Sequence, residues 1–79
     1  MTNAEIEDAA RALAARTSTS VDDLRALYRR MQTWRGRETK IDPGLVFQSM
    51  ALTIELARYH NVSPSFFEGT VHRVLHGYP

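Results

Sequence analysis

Six of the ten basic residues of this 79-residue chain fall between positions 24 and 40: Arg25, Arg29, Arg30, Arg35, Arg37 and Lys40, with Glu38 the one acid among them. Guanidinium groups at this density are suited to bidentate pairing with carboxylates or phosphates. The block carries a net charge of +5, whereas residues 1–23 carry −3 and residues 41–79 carry −1. A partner with an acidic protein surface is therefore expected at these six residues. It stands ahead of nucleic acid because the total charge is only +1 and no aromatic residue alternates with the basic ones on that face. The plainer alternative is a solvated helix face whose charges pair within the chain, and Asp22, three residues before Arg25, fits that alternative.

A second set of polar groups, Glu68, His72 and His76, recurs every four residues and so stacks along one side of a helix. Two imidazoles at this spacing can share a metal, with a carboxylate as a third ligand. Nothing else in the sequence supplies the remaining ligands, apart from His60 approaching in space. The expectation is a solvated outer face, with no metal and no cofactor. The chain has no cysteine, no Gly-rich phosphate loop and no paired carboxylates at a telling position. Enzymatic activity is not expected.

These groups must be carried by helices. Thr2 and Glu5 form a capping box ahead of Asn3–Arg16, whose face of Ile6, Ala9, Ala10 and Leu13 is mostly alanine and gains little from burial. After a polar break at Thr17–Ser20, Ser20 caps a second helix with Asp22 and Asp23 in its first turn. Val21, Leu24, Leu27, Tyr28, Met31 and Trp34 form its core stripe and Gly36 its stop. Asp42 and Pro43 open a third helix that Asn61 closes after His60. Ser63-Pro64 opens a fourth, running to about His76, with Phe67, Thr70, Val71, Val74 and Leu75 on its buried face.

The third helix is the organising element. At 100° per residue, Val46, Phe47, Met50, Ile54 and Ala57 form one apolar stripe, and Leu45, Leu52, Leu56 and Tyr59 form another nearly opposite. Gln48 and Glu55 mark one seam between them; Ser49, Thr53 and His60 mark the other. Such a helix has to be covered twice. Self-association through Leu45, Leu52, Leu56 and Tyr59 is the economical use of the second stripe, so a homodimer is expected. The fold class is all-α: a small four-helix bundle around a long, largely apolar third helix, in a single domain over residues 1–79.

The segment 54–76 places Leu56 and Ala57 before a turn, Asn61 where a left-handed residue is needed, Val62 within the turn and Ser63 at the start of the next helix. It resembles a helix-turn-helix of the bacterial repressor type, which implies DNA binding by the fourth helix. The chain departs from that pattern in the length of the helix before the turn, in His60 at an apolar position, and in Ser63, Ser65, Phe66 and Glu68, which bring no cation to the start of the recognition helix.

A chain of this length buries roughly 60% of its unfolded surface, so added burial against a partner stabilises it considerably. No uncharged apolar run is long enough for a membrane span, and the acidic N-terminus is unlike a signal peptide. A cytoplasmic location is expected. The function expected is that of a non-enzymatic macromolecular binding protein, a small helical regulator, adaptor or inhibitor acting through protein–protein contacts. A phage or mobile-element inhibitor and a host regulatory subunit fit this description equally. The competing reading is a DNA-binding transcriptional regulator using the helix-turn-helix-like segment.

Overall fold

The computed structural model describes residues 1–32 and 41–76. Four helices, α1 (Asn3–Thr17), α2 (Val21–Gln32), α3 (Pro43–His60) and α4 (Ser65–His76), form a small all-α bundle. Trp34 of the expected core stripe, the Gly36 stop, and Arg35, Arg37 and Lys40 lie outside the described residues.

Local chemistry sets most of the helix ends. The Glu5 N–H donates to Thr2 Oγ1 at 3.2 Å and the Thr2 N–H to Glu5 Oε1 at 3.0 Å, closing the capping box of α1. Those hydrogen bonds, the one from the Thr2 backbone foremost, hold the Glu5 carboxyl below its ordinary range. Ser20 accepts from the Asp23 N–H at 3.1 Å, and Asp42 accepts from the Gly44 N–H at 3.0 Å. Asn61 closes α3 in the left-handed conformation, φ 55° and ψ 46°, and the Val62 N–H then donates to the Ala57 carbonyl at 2.9 Å. Ser18 closes α1 in the same way, φ 53° and ψ 40°. Thr17, expected in a break between helices, is instead buried in α1 and donates to the Leu13 carbonyl at 2.6 Å.

Chain direction follows from which ends meet. The Ile41 N–H donates to the Gln32 carbonyl at 3.2 Å, joining the end of α2 to the entrance of α3. Leu24 and Leu27 of α2 line one cavity with Ile54 of α3, so the two helices run antiparallel. Tyr28 and Phe47 bring their rings to 5.3 Å between them. Burial, and then the Asp42 charge, raise the Tyr28 hydroxyl pKa. Leu13, Leu24, Met31, Val46, Met50 and Ile54 make the centre of the core.

The first stripe of α3 faces that core. Val46, Met50, Ile54 and Ala57 are buried, and Phe47 is half-buried. Ser49 and Thr53, expected on a seam, are fully buried with them. Their hydroxyls donate to the carbonyls four residues back, Leu45 at 2.9 Å and Ser49 at 2.7 Å, which removes most of the desolvation cost. The inner face of α3 is thus more polar than expected.

The orientation of α4 differs from the expected one by about a quarter-turn. Val71 is buried and Phe67 half-buried, but Thr70, Val74 and Leu75 are exposed, while His72 is buried in their place. The physical reason lies on α2. A ring nitrogen of His72, Nε2, lies 3.2 Å from the Met31 carbonyl, and Glu68 receives the Arg30 guanidinium. Polar partners on α2 thus draw in a side of α4 expected to face water.

Candidate binding surfaces

The arginines of α2 are largely turned to partners within the chain. Arg25 pairs with Glu7 of α1, through a second contact from Nε to Glu7 Oε2 at 3.2 Å, and with Asp22 at 2.8 Å. The Arg25 hydrogen bond is the main cause that lowers the Glu7 pKa, and the same contact is the main cause that raises the arginine's. Arg30 grips Glu68 in a fork: Nε lies 3.1 and 3.2 Å from the two carboxylate oxygens, and Nη2 lies 2.9 Å from Oε1. The Glu68 side chain is only 12% exposed. Arg29 is exposed on the same helix. Of the six basic residues expected to meet an acidic partner, Arg25 and Arg30 are thus held by carboxylates of the chain itself, and Arg35, Arg37 and Lys40 lie outside the described residues.

The Glu68 and His72 side chains point inward, in place of the outer face expected for them. Among the described residues no group of three or more His, Asp or Glu side chains gathers in a way that could hold a metal ion. A cavity of about 230 Å³ opens between α2 and the turn before α4, floored by Leu24, Leu27 and Ile54 and rimmed by Asp23, Arg30, Ser63 and Ser65. It is smaller than the roughly 300–1,000 Å³ usual for small-molecule sites.

Exposed apolar surface is concentrated elsewhere. On α3, the second stripe has Leu45 and Leu56 half-buried, Leu52 37% exposed and Tyr59 85% exposed. On α4, the outward side presents Phe66 at 70% and Val74 at 73% exposure, with Thr70 between them and Arg73 alongside, all at helical spacing. The two areas meet at the α3–α4 turn through a run of ring contacts: Tyr59 to His60 at 5.0 Å, His60 to Phe67 at 5.2 Å, and Phe67 to Phe66 at 5.1 Å. Edge and tilted packing of this kind pre-sets the positions of the exposed rings.

Of this α4 surface, Phe66 already lies at the edge of the stripe read from the sequence, where an aromatic can anchor an interface, but Thr70 and Val74 belong to the expected buried face, so the surface as a whole was not assigned. One signal was present: the outer face of a buried-stripe reading would have carried two histidines and a glutamate, which makes α4 ambivalent. No helix among the described residues is long and apolar enough to cross a membrane. Compared with protein-family models, with curated proteins and with solved structures, the chain matches none.

Proposed function

We propose that this chain is a non-enzymatic binding protein, a small helical regulator, adaptor or inhibitor, and that it acts by placing the outer face of α4 in an apolar groove of another protein. One observation carries the reading: Phe66 and Val74 stand two turns apart on one helix face and are 70% and 73% exposed. Large side chains on one face of a helix are the anchors that helix-in-groove recognition uses, and here Phe66 and Val74 stand at i and i+8 with the smaller Thr70 between them. Their neighbours Val71 and His72 fix the helix from behind, so little ordering cost accompanies binding. Arg73 at the edge of the face adds a cation for an acidic rim. The α2 arginines contribute less in this reading, because Arg25 and Arg30 would have to leave Glu7 and Glu68 first.

A photoreactive phenylalanine analogue at Phe66, compared with the same analogue at the exposed Asp8, tests the proposal in an extract of the source cells. An adduct with one defined protein at position 66, absent at position 8 and abolished by Val74→Ser, is the expected result. Equal labelling from both positions, or adducts with nucleic acid alone, contradicts it.

The left-handed Asn61 and the Val62-to-Ala57 hydrogen bond support a second reading, in which α3 and α4 act as a helix-turn-helix and the same face of α4 enters a DNA groove. Arg73 is the one Lys or Arg within α4, so phosphate contact in this reading leans on it. Binding to duplex DNA that weakens with salt and loses part of that dependence in Arg73→Ala would favour DNA over protein.

A further inference from the structure

We infer that the cavity between α2 and the turn before α4 is a binding site for a small organic cation, a primary ammonium group on a compact apolar body. The site lies apart from the α4 face proposed for docking, since neither Phe66 nor Val74 lines it. Its floor is made by Leu24, Leu27 and Ile54, all buried, and Ala26 forms part of its α2 wall. An apolar cavity of about 150 Å³ already takes up benzene. At about 230 Å³, this one holds a ring of that size with a short arm that reaches the mouth.

The charge at the mouth decides which head group that arm carries. Asp23 and Arg30 both line the cavity from α2, about 10 Å apart along the helix axis. Arg30 is already held by Glu68, whose hydrogen bonds are the main cause that raises the guanidinium's pKa, with the Asp23 charge a lesser one. Among the described residues the Asp23 carboxylate forms no ion pair. Two carboxylates against one guanidinium thus leave the mouth negative. The backbone amides that could attract an anion are taken as well. At the start of α4 the Phe66 N–H donates to the Ser63 carbonyl at 3.0 Å, and the Phe67 and Glu68 N–H groups donate to the Pro64 carbonyl at 3.1 and 3.2 Å. At the start of α2 the Asp23 and Leu24 N–H groups donate to the Ser20 hydroxyl and carbonyl, each at 3.1 Å. The Ser63 and Ser65 hydroxyls, 3.0 Å apart, bond to each other. A cation is therefore the charge this mouth favours, and Asp23 is the group that meets it. Covering the apolar floor supplies the attraction, and the carboxylate supplies the selectivity.

Methyl NMR spectra of the full chain, titrated with phenethylamine at neutral pH and low salt, test the site. The Leu24, Leu27 and Ile54 signals are expected to move together and to saturate with a Kd of about 1 mM, the strength of a fragment-sized ligand. Phenylacetate, which has the same ring but a negative head, should bind about tenfold more weakly, because attraction by Asp23 becomes repulsion. Asp23→Asn should weaken the amine about fivefold, as loss of an exposed charge pair does. Ala26→Leu, which fills the cavity from its α2 wall, should remove binding with helical circular dichroism unchanged. Absence of any saturable movement of these methyls overturns the inference. So does phenylacetate bound as tightly as the amine, or amine binding unchanged in Asp23→Asn.

Discussion

At the scale of single residues, the polar side chains do more to set this structure than their number suggests. Arg30 and Glu68 illustrate it. The glutamate is 12% exposed and the arginine 53%, so removing the cation leaves a mostly desolvated carboxylate without its fork. Arg30→Ala is expected to cost about 2 kcal/mol, within the range for an abandoned charged partner, and Glu68→Gln less, since a neutral amide is cheaper to bury. Urea denaturation of the two variants measures the difference; equal losses would mean that the pair acts only as a solvated surface contact. Ser18 is the converse case, a side chain whose backbone conformation is costly. Its φ of 53° is left-handed, a conformation that costs an L-residue about 1 kcal/mol more than glycine. Ser18→Gly should raise the melting temperature, and a fall would show that the hydroxyl contributes more than the strain removes.

At the scale of helices, α1 and α4 are the elements whose behaviour depends on a few contacts. The inner side of α1 is mostly alanine, with Ala10, Leu13 and Ala14 buried, and the Glu7–Arg25 pair is an added tie to α2. The folded-state pKa of Glu7 is lowered by that arginine, so its contribution is fully present above the ordinary glutamate pKa. It is lost as pH falls through the lowered value. Glu7→Gln should therefore be less stable than the wild type near neutral pH and equal to it in strong acid, where both side chains are uncharged. Parallel denaturation curves at the two pH values read the gap, and a gap that persists in acid would assign it to packing. The helix boundaries were legible in the sequence because capping chemistry is local: Thr2–Glu5, Ser20, Asp42-Pro43 and Asn61 each mark an end found in the structure. The facing of α4 was not. Phe67, Thr70, Val71 and Val74 make a sound apolar stripe, but a carbonyl at Met31 and a guanidinium at Arg30 lie across the interface, and no periodicity within α4 reveals them.

At the scale of the whole molecule, the charge asymmetry of the sequence is partly spent on assembly. Acidic α1 lies against the first half of α2 through Glu7 and Arg25, and α4 against its second half through Glu68 and Arg30. A basic block in a short chain is thus ambiguous until its neighbours are placed. The second stripe of α3 is covered in part, with Leu45 and Leu56 half-buried and Leu52 and Tyr59 exposed; on α4 the exposure of Val74 became visible only when His72 took the buried position. The proposed role follows from that exposure, an apolar helix face for a foreign protein. Shift mapping of the isotopically labelled chain, titrated with the protein captured through Phe66, tests the central claim most directly. The account predicts perturbations centred on Phe66, Thr70 and Val74, with Arg25 and Arg29 unaffected. Perturbations centred on the α2 arginines, with α4 unmoved, would contradict it.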